Sequence, residues 1–153
     1  MPDMRQDEAR RRFAEARIAR LATVDPGGRP HLVPLVFARR GDDFVTAIDQ
    51  KPKRSQQVRR LHNIAAHSAV CLLVDEYDED WDHLWWVRAD GDARTVPPDA
   101  SDEETRDEYA AAIEVLRQKY PQYRDRPPEG PVIVVTVLRW TGWRAVPEDD
   151  GGR

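Results

Sequence analysis

Residues 18–37 read Ile-Ala-Arg-Leu-Ala-Thr-Val-Asp-Pro-Gly-Gly-Arg-Pro-His-Leu-Val-Pro-Leu-Val-Phe. An apolar stretch, a Pro-Gly-Gly turn and a second apolar stretch predict an antiparallel hairpin with strands over 18–24 and 31–37. Pro34 cannot donate a hydrogen bond to a neighbouring strand, so the second strand is expected at an edge or a bulge of its sheet.

The rest of the chain continues this β-rich pattern. Further strands are predicted over 44–48, 69–75, 84–94 and 132–140, and helices near the start of the chain, after residue 55 and over 101–120. Strands and helices do not alternate regularly, which favours an antiparallel sheet closed into a small barrel. We therefore predict a mainly β (α+β) fold with six strands and about three peripheral helices. Residues 1–147 would form one domain, and the polar residues 148–153 a disordered tail.

Composition limits the classes of protein to which the chain can belong. The mean hydropathy is −0.75, and the longest apolar run, residues 132–138, is far shorter than the ~20 residues of a membrane span. No apolar segment opens the chain, so no secretory signal is expected. The single cysteine, Cys71, lies among apolar residues and indicates a buried, unreactive thiol. We expect a cytoplasmic protein without membrane partners.

A cationic segment follows the third predicted strand. Residues 51–60 read Lys-Pro-Lys-Arg-Ser-Gln-Gln-Val-Arg-Arg, with five positive charges in a chain of net charge −4. A strand, a short cationic loop and a helix N-terminus in that order are suited to hold a phosphate, because the first N–H groups of the helix and the Lys/Arg heads all face the anion. Thr46 could add a hydroxyl, whereas Arg59 and Arg60 are expected on the surface. The alternative is a solvated basic turn.

Charge distribution leaves a nucleic-acid module as a minor alternative. Residues 1–62 carry a net charge of +6 and residues 63–153 a net charge of −10. The basic half has no interleaved aromatic residues of the kind that single-strand binders use for base stacking. We therefore expect no nucleic-acid partner.

Other chemistry-bearing residues show no recognisable catalytic pattern. The four histidines and Cys71 lack the spacing of a metal site, and nucleophile and nucleotide-binding motifs are absent. Arg88 lies in the middle of a strand, where it could form an ion pair or present a second cation to a bound anion. If the protein is an enzyme, a cofactor is expected to carry the chemistry, with no metal.

Three segments together resemble a known family. Residues 17–37 resemble the opening hairpin of the pyridoxamine 5′-phosphate oxidase-like split β-barrel family. Residues 46–54, Thr-Ala-Ile-Asp-Gln-Lys-Pro-Lys-Arg, resemble the phosphate loop of its deazaflavin branch, and residues 80–91, Asp-Trp-Asp-His-Leu-Trp-Trp-Val-Arg-Ala-Asp-Gly, are similar to the long strand of actinobacterial members. The likeness spans residues 10–145.

This resemblance implies a homodimeric oxidoreductase with cofactor sites at the subunit interface. The implied cofactor is coenzyme F420, a deazaflavin with a phospholactyl-oligoglutamate tail, or alternatively FMN. The usual FMN phosphate motif is replaced here by Lys-Pro-Lys-Arg, which favours the deazaflavin. The implied cofactor-binding residues are His31, Val33, Pro34, Thr46, Ala47, Ile48, Lys51, Lys53, Arg54, Ser55 and Arg88.

The implied activity is hydride transfer between the deazaflavin and a small organic substrate. Neither the substrate nor a catalytic residue is indicated. Two alternatives of the same fold stay open: an FMN-dependent oxidase, and a flavin- or haem-binding protein without turnover.

Overall fold

The computed structural model describes residues 3–49 and 56–146, with the backbone alone for residues 56–58. The predicted tail, 148–153, lies outside these residues. The helices are α1 (Gln6–Glu15), α2 (Gln56–Ala66), α3 (Glu103–Lys119) and α4 (Pro121–Asp125), with a short 3-10 turn at Trp81–His83. The strands are β1 (Ala19–Val24), β2 (Pro30–Leu35), β3 (Ala38–Arg40), β4 (Asp43–Ala47), β5 (Ala69–Glu76), β6 (Trp85–Val96) and β7 (Val132–Arg144).

The seven strands form one antiparallel sheet in the order β2-β1-β5-β6-β7-β4-β3. Its two edge strands are consecutive in the chain, and only two residues separate Leu35 at the end of β2 from Ala38 at the start of β3. Three residue steps span at most about 11 Å, so the two edges must approach each other here. The sheet is therefore curled, but it forms a half-barrel rather than the predicted closed barrel, because β2 and β3 remain its two edges among the described residues.

The numbers of strands and helices were predicted wrongly. The chain leaves β2 at Leu35 and crosses to the opposite edge, so the apolar residues 36–37 join two strands and β3 is a seventh strand. The third helix, predicted over 101–120, does end before Pro121, but Pro121 opens an additional helix, α4, where its missing N–H costs nothing.

Hydrogen bonds to the backbone anchor the crossing between the two edges. The Tyr120 hydroxyl accepts a hydrogen bond from Phe37 N at 3.1 Å and lies 2.9 Å from the carbonyl oxygens of Phe37 and Arg17. The Thr46 hydroxyl donates to the carbonyl of Val36 at 2.7 Å. These bonds join the end of α3 and strand β4 to the crossing between the two edge strands.

The first four residues of β7, 132–135, are buried on both faces of the sheet, whereas Thr136 and Leu138 further along the strand are exposed. Ile133 and Val135 pack in the core that contains Phe13 of α1, whose ring contacts Phe37, Phe44 and Trp140. The alternate residues, Val132 and Val134, pack against Ala112 and Leu116 of α3. No helix in the two described ranges has both the length and the apolar character needed to cross a membrane.

Candidate functional site

The end of β4 is buried, and its polar groups already form hydrogen bonds within the fold. Thr46, Ala47 and Ile48 are 4%, 7% and 1% exposed. The single hydroxyl hydrogen of Thr46 is donated to Val36, and the backbone of Ile48 bonds to Pro131 and Gly130. While that bond holds, Thr46 cannot donate to a phosphate oxygen.

The predicted phosphate-binding side chains of Lys51, Lys53, Arg54 and Ser55 lie outside the described residues. The elements predicted on either side of them are present: β4 ends at Ala47, and α2 begins at Gln56. The eleven residues of α2 are enough for an effective positive charge at its N-terminus.

On β2, the predicted ring contacts divide between the two faces of the sheet. Val33 is 8% exposed and belongs to the core, whereas Pro34 is exposed and pairs with Arg20 of β1. His31 is half-buried directly opposite Thr23, and its Nδ1 atom is buried without a hydrogen-bond partner in the described part of the chain. Of these three residues, His31 offers an unused polar atom to a ligand.

The inner face of α2 holds two polar residues that the sequence did not identify as a site. Asn63 is fully buried, and its amide nitrogen donates to the Thr23 hydroxyl at 3.0 Å while Oδ1 has no partner among the described residues. Arg60 is 8% exposed, so its assignment to the surface was wrong, whereas Arg59 is exposed as predicted. The sequence does contain a signal for this burial, because Arg60, Asn63 and the buried Ile64 are three and four residues apart and therefore lie on one face of α2.

The charged guanidinium of Arg60 is buried and therefore poorly hydrated. Burial lowers the pKa of the guanidinium, an effect only partly opposed by the Asp49 carboxylate and the Tyr123 phenol, which raise it. Its Nε atom is buried and has no hydrogen-bond partner within the described ranges. A buried cation without a close partner is costly unless an anion joins it.

A cavity of about 640 Å³ adjoins Asp49 and α4. The Tyr123 hydroxyl donates to Asp49 Oδ1, and burial followed by this bond raises the pKa of the phenol. Three carboxylates and one guanidinium line the cavity, which is therefore unsuited to an anion; the lining residues are Asp49, Gln122, Tyr123, Asp125, Arg126, Pro127 and Glu129.

Arg88 lies away from these groups, on the outer face of the sheet. It forms an ion pair with Asp90 at 3.2 Å, and its guanidinium lies 6.0 Å from the centre of the Trp86 ring. It borders an apolar cavity of about 520 Å³ together with Leu32, Trp86 and Trp143. This volume suits a small organic ligand. The structure thus groups Arg88 with Leu32 rather than with His31 or Val33.

Cys71 is half-buried rather than buried as predicted, and it lines the apolar cavity beside Arg88. Burial and the Asp90 carboxylate raise the pKa of its thiol, so the thiol stays protonated near neutral pH. No group of three or more His, Cys, Asp or Glu side chains in the described ranges could hold a metal ion.

Comparisons with known proteins identify relatives of the fold. The family model of pyridoxamine 5′-phosphate oxidase matches residues 6–144. A comparison with curated proteins finds no match.

Solved structures of similar fold share little sequence with this chain. A conserved hypothetical protein from Mycobacterium tuberculosis is 20% identical, with a TM-score of 0.71 over 98% of this chain and 93% of that chain. A FAD-binding protein from Mesorhizobium loti is 16% identical, with a TM-score of 0.67 over 92% and 94%. The heme storage protein HutZ from Vibrio cholerae is 17% identical, with a TM-score of 0.66 over 92% and 95%.

Proposed function

The chain belongs to the pyridoxamine 5′-phosphate oxidase family, and from this premise we propose that it is a coenzyme F420-dependent oxidoreductase that transfers a hydride between the deazaflavin and a small organic substrate. FMN is the alternative cofactor. We place the protein in the cytoplasm as a homodimer with its cofactor sites at the subunit interface. A single elution volume corresponding to a monomer, with and without cofactor, would contradict the dimer.

The observation that carries this proposal is where α2 begins. The helix starts at Gln56, two residues after Arg54 and three after Lys53 in the sequence. The positive end of a helix dipole and three cations are thus brought within a few residues of one another, which is the combination that binds phosphate.

The residues present fit an anionic, ring-containing cofactor in part. Lys51, Lys53, Arg54 and Ser55 would hold its phosphate, and the buried, unpartnered Nδ1 of His31 offers a polar contact to its ring. We expect packing support for the site, rather than direct ligand contacts, from the almost wholly buried residues Val33, Ala47 and Ile48. When bound, a deazaflavin supplies two-electron hydride chemistry. Near these groups, no described side chain is an evident general acid.

A second candidate function is storage or delivery of a cofactor without turnover. The observation that favours it is the similarity of fold to the heme storage protein from Vibrio cholerae. Such a protein would bind its ligand yet fail to accelerate oxidation of the reduced deazaflavin by any acceptor.

Titration of the protein with coenzyme F420 and with FMN, each oxidised and reduced, tests the proposal. Binding is followed by quenching of tryptophan fluorescence. We expect saturation by the deazaflavin with a Kd below about 100 μM and weaker binding of FMN. Tighter binding of FMN would transfer the proposal to the FMN-dependent alternative, and no saturation by either cofactor would contradict it.

A further inference from the structure

Three polar side chains meet where α2 covers the β1–β2 hairpin. Thr23 and His31 lie directly opposite each other on the two strands, so their Cβ atoms are about 5 Å apart on one face of the sheet. Asn63 of α2 donates from its amide nitrogen to the Thr23 hydroxyl at 3.0 Å. Thr23 and Asn63 are 1% and 0% exposed, so bulk solvent does not reach either side chain.

Each of the three side chains has one hydrogen-bonding capacity that the described residues do not use. The Thr23 oxygen accepts from Asn63, which leaves the hydroxyl hydrogen available for donation. Asn63 Oδ1 and His31 Nδ1 are buried, and neither has a partner among the described residues. Arg60, three residues earlier on α2, does not complete the set, because its guanidinium faces the Asp49 carboxylate.

One water molecule would satisfy all three side chains. It would accept the Thr23 hydrogen and donate its own two hydrogens to Asn63 Oδ1 and His31 Nδ1. Three hydrogen bonds are the usual number for a buried water. If Nδ1 carried the imidazole hydrogen instead, one hydrogen of the water would lack an acceptor. Because buried donors without an acceptor are rarer than acceptors with a spare lone pair, the count favours the hydrogen on Nε2.

We propose that Thr23 and Asn63 are positioning residues, which hold one water against Nδ1 of His31 and thereby keep the imidazole hydrogen on Nε2. Nε2 forms no hydrogen bond within the described ranges and is not one of the buried unpartnered atoms of this half-buried residue, so it is the nitrogen that reaches the surface. The consequence for the ligand rests on the proposed function. His31 donates from Nε2 to an acceptor on the cofactor ring, such as a carbonyl oxygen, and Nδ1 contacts the ring only through the water.

The tautomer and the water are tested first, on the protein without ligand. Long-range proton–nitrogen NMR spectra at about pH 8, above the range in which free imidazole titrates, report which ring nitrogen of His31 carries the hydrogen. Loss of signals in His31→Gln identifies this residue. We expect the hydrogen on Nε2, and a crystal structure should show one ordered water within hydrogen-bond distance of Thr23 Oγ1, Asn63 Oδ1 and His31 Nδ1.

The variant Thr23→Val tests the role of the hydroxyl. Without the Thr23 hydrogen, the water has a lone pair to spare and can accept from Nδ1, so the form with the hydrogen on Nδ1 should become populated. Thr136→Val, the same substitution at an exposed strand position, is the matched control and should leave the spectrum of His31 unchanged. Thr23→Val should also weaken binding of coenzyme F420 by about threefold or more, and Thr136→Val by less than about twofold.

Several results would overturn the inference. They are a hydrogen on Nδ1 in the wild type, the lack of an ordered water between the three side chains, an equal spectral change in Thr136→Val, and unchanged cofactor affinity in Thr23→Val. If Thr23→Val does not fold, the tautomer and the water of the wild type decide. Failure of the wild type to bind either coenzyme F420 or FMN would instead refute the proposed function, and the tautomer and the water would still stand as measured.

Discussion

The two helical regions that flank the sheet treat their buried polar groups differently. In the α3–α4 region, the hydroxyl of Tyr109 donates to the carbonyl of Gly130 at 2.9 Å, and Lys119 Nζ donates to the carbonyl of Ala16 at 2.6 Å. The guanidinium of Arg117 binds Glu114 and a backbone carbonyl through its terminal nitrogens, although its Nε atom is buried without a partner in the described ranges. This region uses its polar groups to hold the fold together.

The α2 region leaves comparable groups unused. Arg60 Nε, Asn63 Oδ1 and the neighbouring His31 Nδ1 are all buried without hydrogen-bond partners in the described ranges. Each such group costs about 1–3 kcal/mol. Three such atoms cluster in the α2 region and one lies in α3, so we propose that the α2 region serves a ligand whereas α3–α4 stabilises the fold.

The largest effect should follow from weakening the α3–α4 region. Leu116 is fully buried between α3 and β7, and Leu116→Ala should lower the free energy of unfolding by about 2–5 kcal/mol. Urea denaturation measures this, with the exposed Gln118→Ala as the control, expected to change stability by less than about 0.5 kcal/mol. Equal stabilities for the two variants would contradict a structural role for α3.

The next effect concerns binding at the α2 region. Lys53→Ala should weaken binding of coenzyme F420 by about 1.5–3 kcal/mol, because it removes a charge-assisted contact to the phosphate. Arg106→Ala, which removes an exposed cation from α3, serves as the matched control and should leave the affinity unchanged. An equal loss in both variants would mean that net charge, rather than a site, governs binding.

Removing one hydroxyl tests the polar contacts of the α3–α4 region. Tyr120→Phe deletes the bonds to Phe37 and Arg17 and should cost about 1–3 kcal/mol of unfolding free energy. The control is Tyr77→Phe. Tyr77 is 66% exposed, so this variant should lose almost no free energy of unfolding. If Tyr120→Phe is as stable as the wild type, the crossing between the sheet edges does not depend on this hydroxyl.

The smallest effect is a pH dependence from Lys119. Burial, followed by the charge of Arg17, lowers the pKa of this amine from 10.5 to about 8. Between about pH 8 and 10.5 the unfolded chain therefore binds more protons than the folded one at this position, so Lys119 makes stability rise with pH in this window. Thermal unfolding across the window should show a shallower rise in Lys119→Met, and parallel curves for the two proteins would contradict the assignment.

Local patterns predicted most of the elements, whereas long-range contacts decided the rest. The turn at residues 25–28 and the apolar run 132–138 predicted β1, β2 and β7. The short strand β3 escaped prediction because three residues, Ala38–Arg40, form a strand only by pairing with β4 at the far edge of the sheet.

The sequence indicated which residue types the candidate site contains, but it did not indicate which of those side chains are buried. Arg59 and Arg60 are the same residue type side by side, and only the packing of α2 against the sheet makes one exposed and the other buried. Thr46 was chosen for its hydroxyl, and its bond to Val36 depends on the crossing that the sequence did not reveal.

The most direct test of the account is a crystal structure of the protein with coenzyme F420 bound. The account predicts the phosphate within hydrogen-bond distance of Lys51 or Lys53, at the N-terminus of α2, with the ring near His31. A cofactor whose phosphate lies away from these lysines and whose ring lies away from His31 would contradict it.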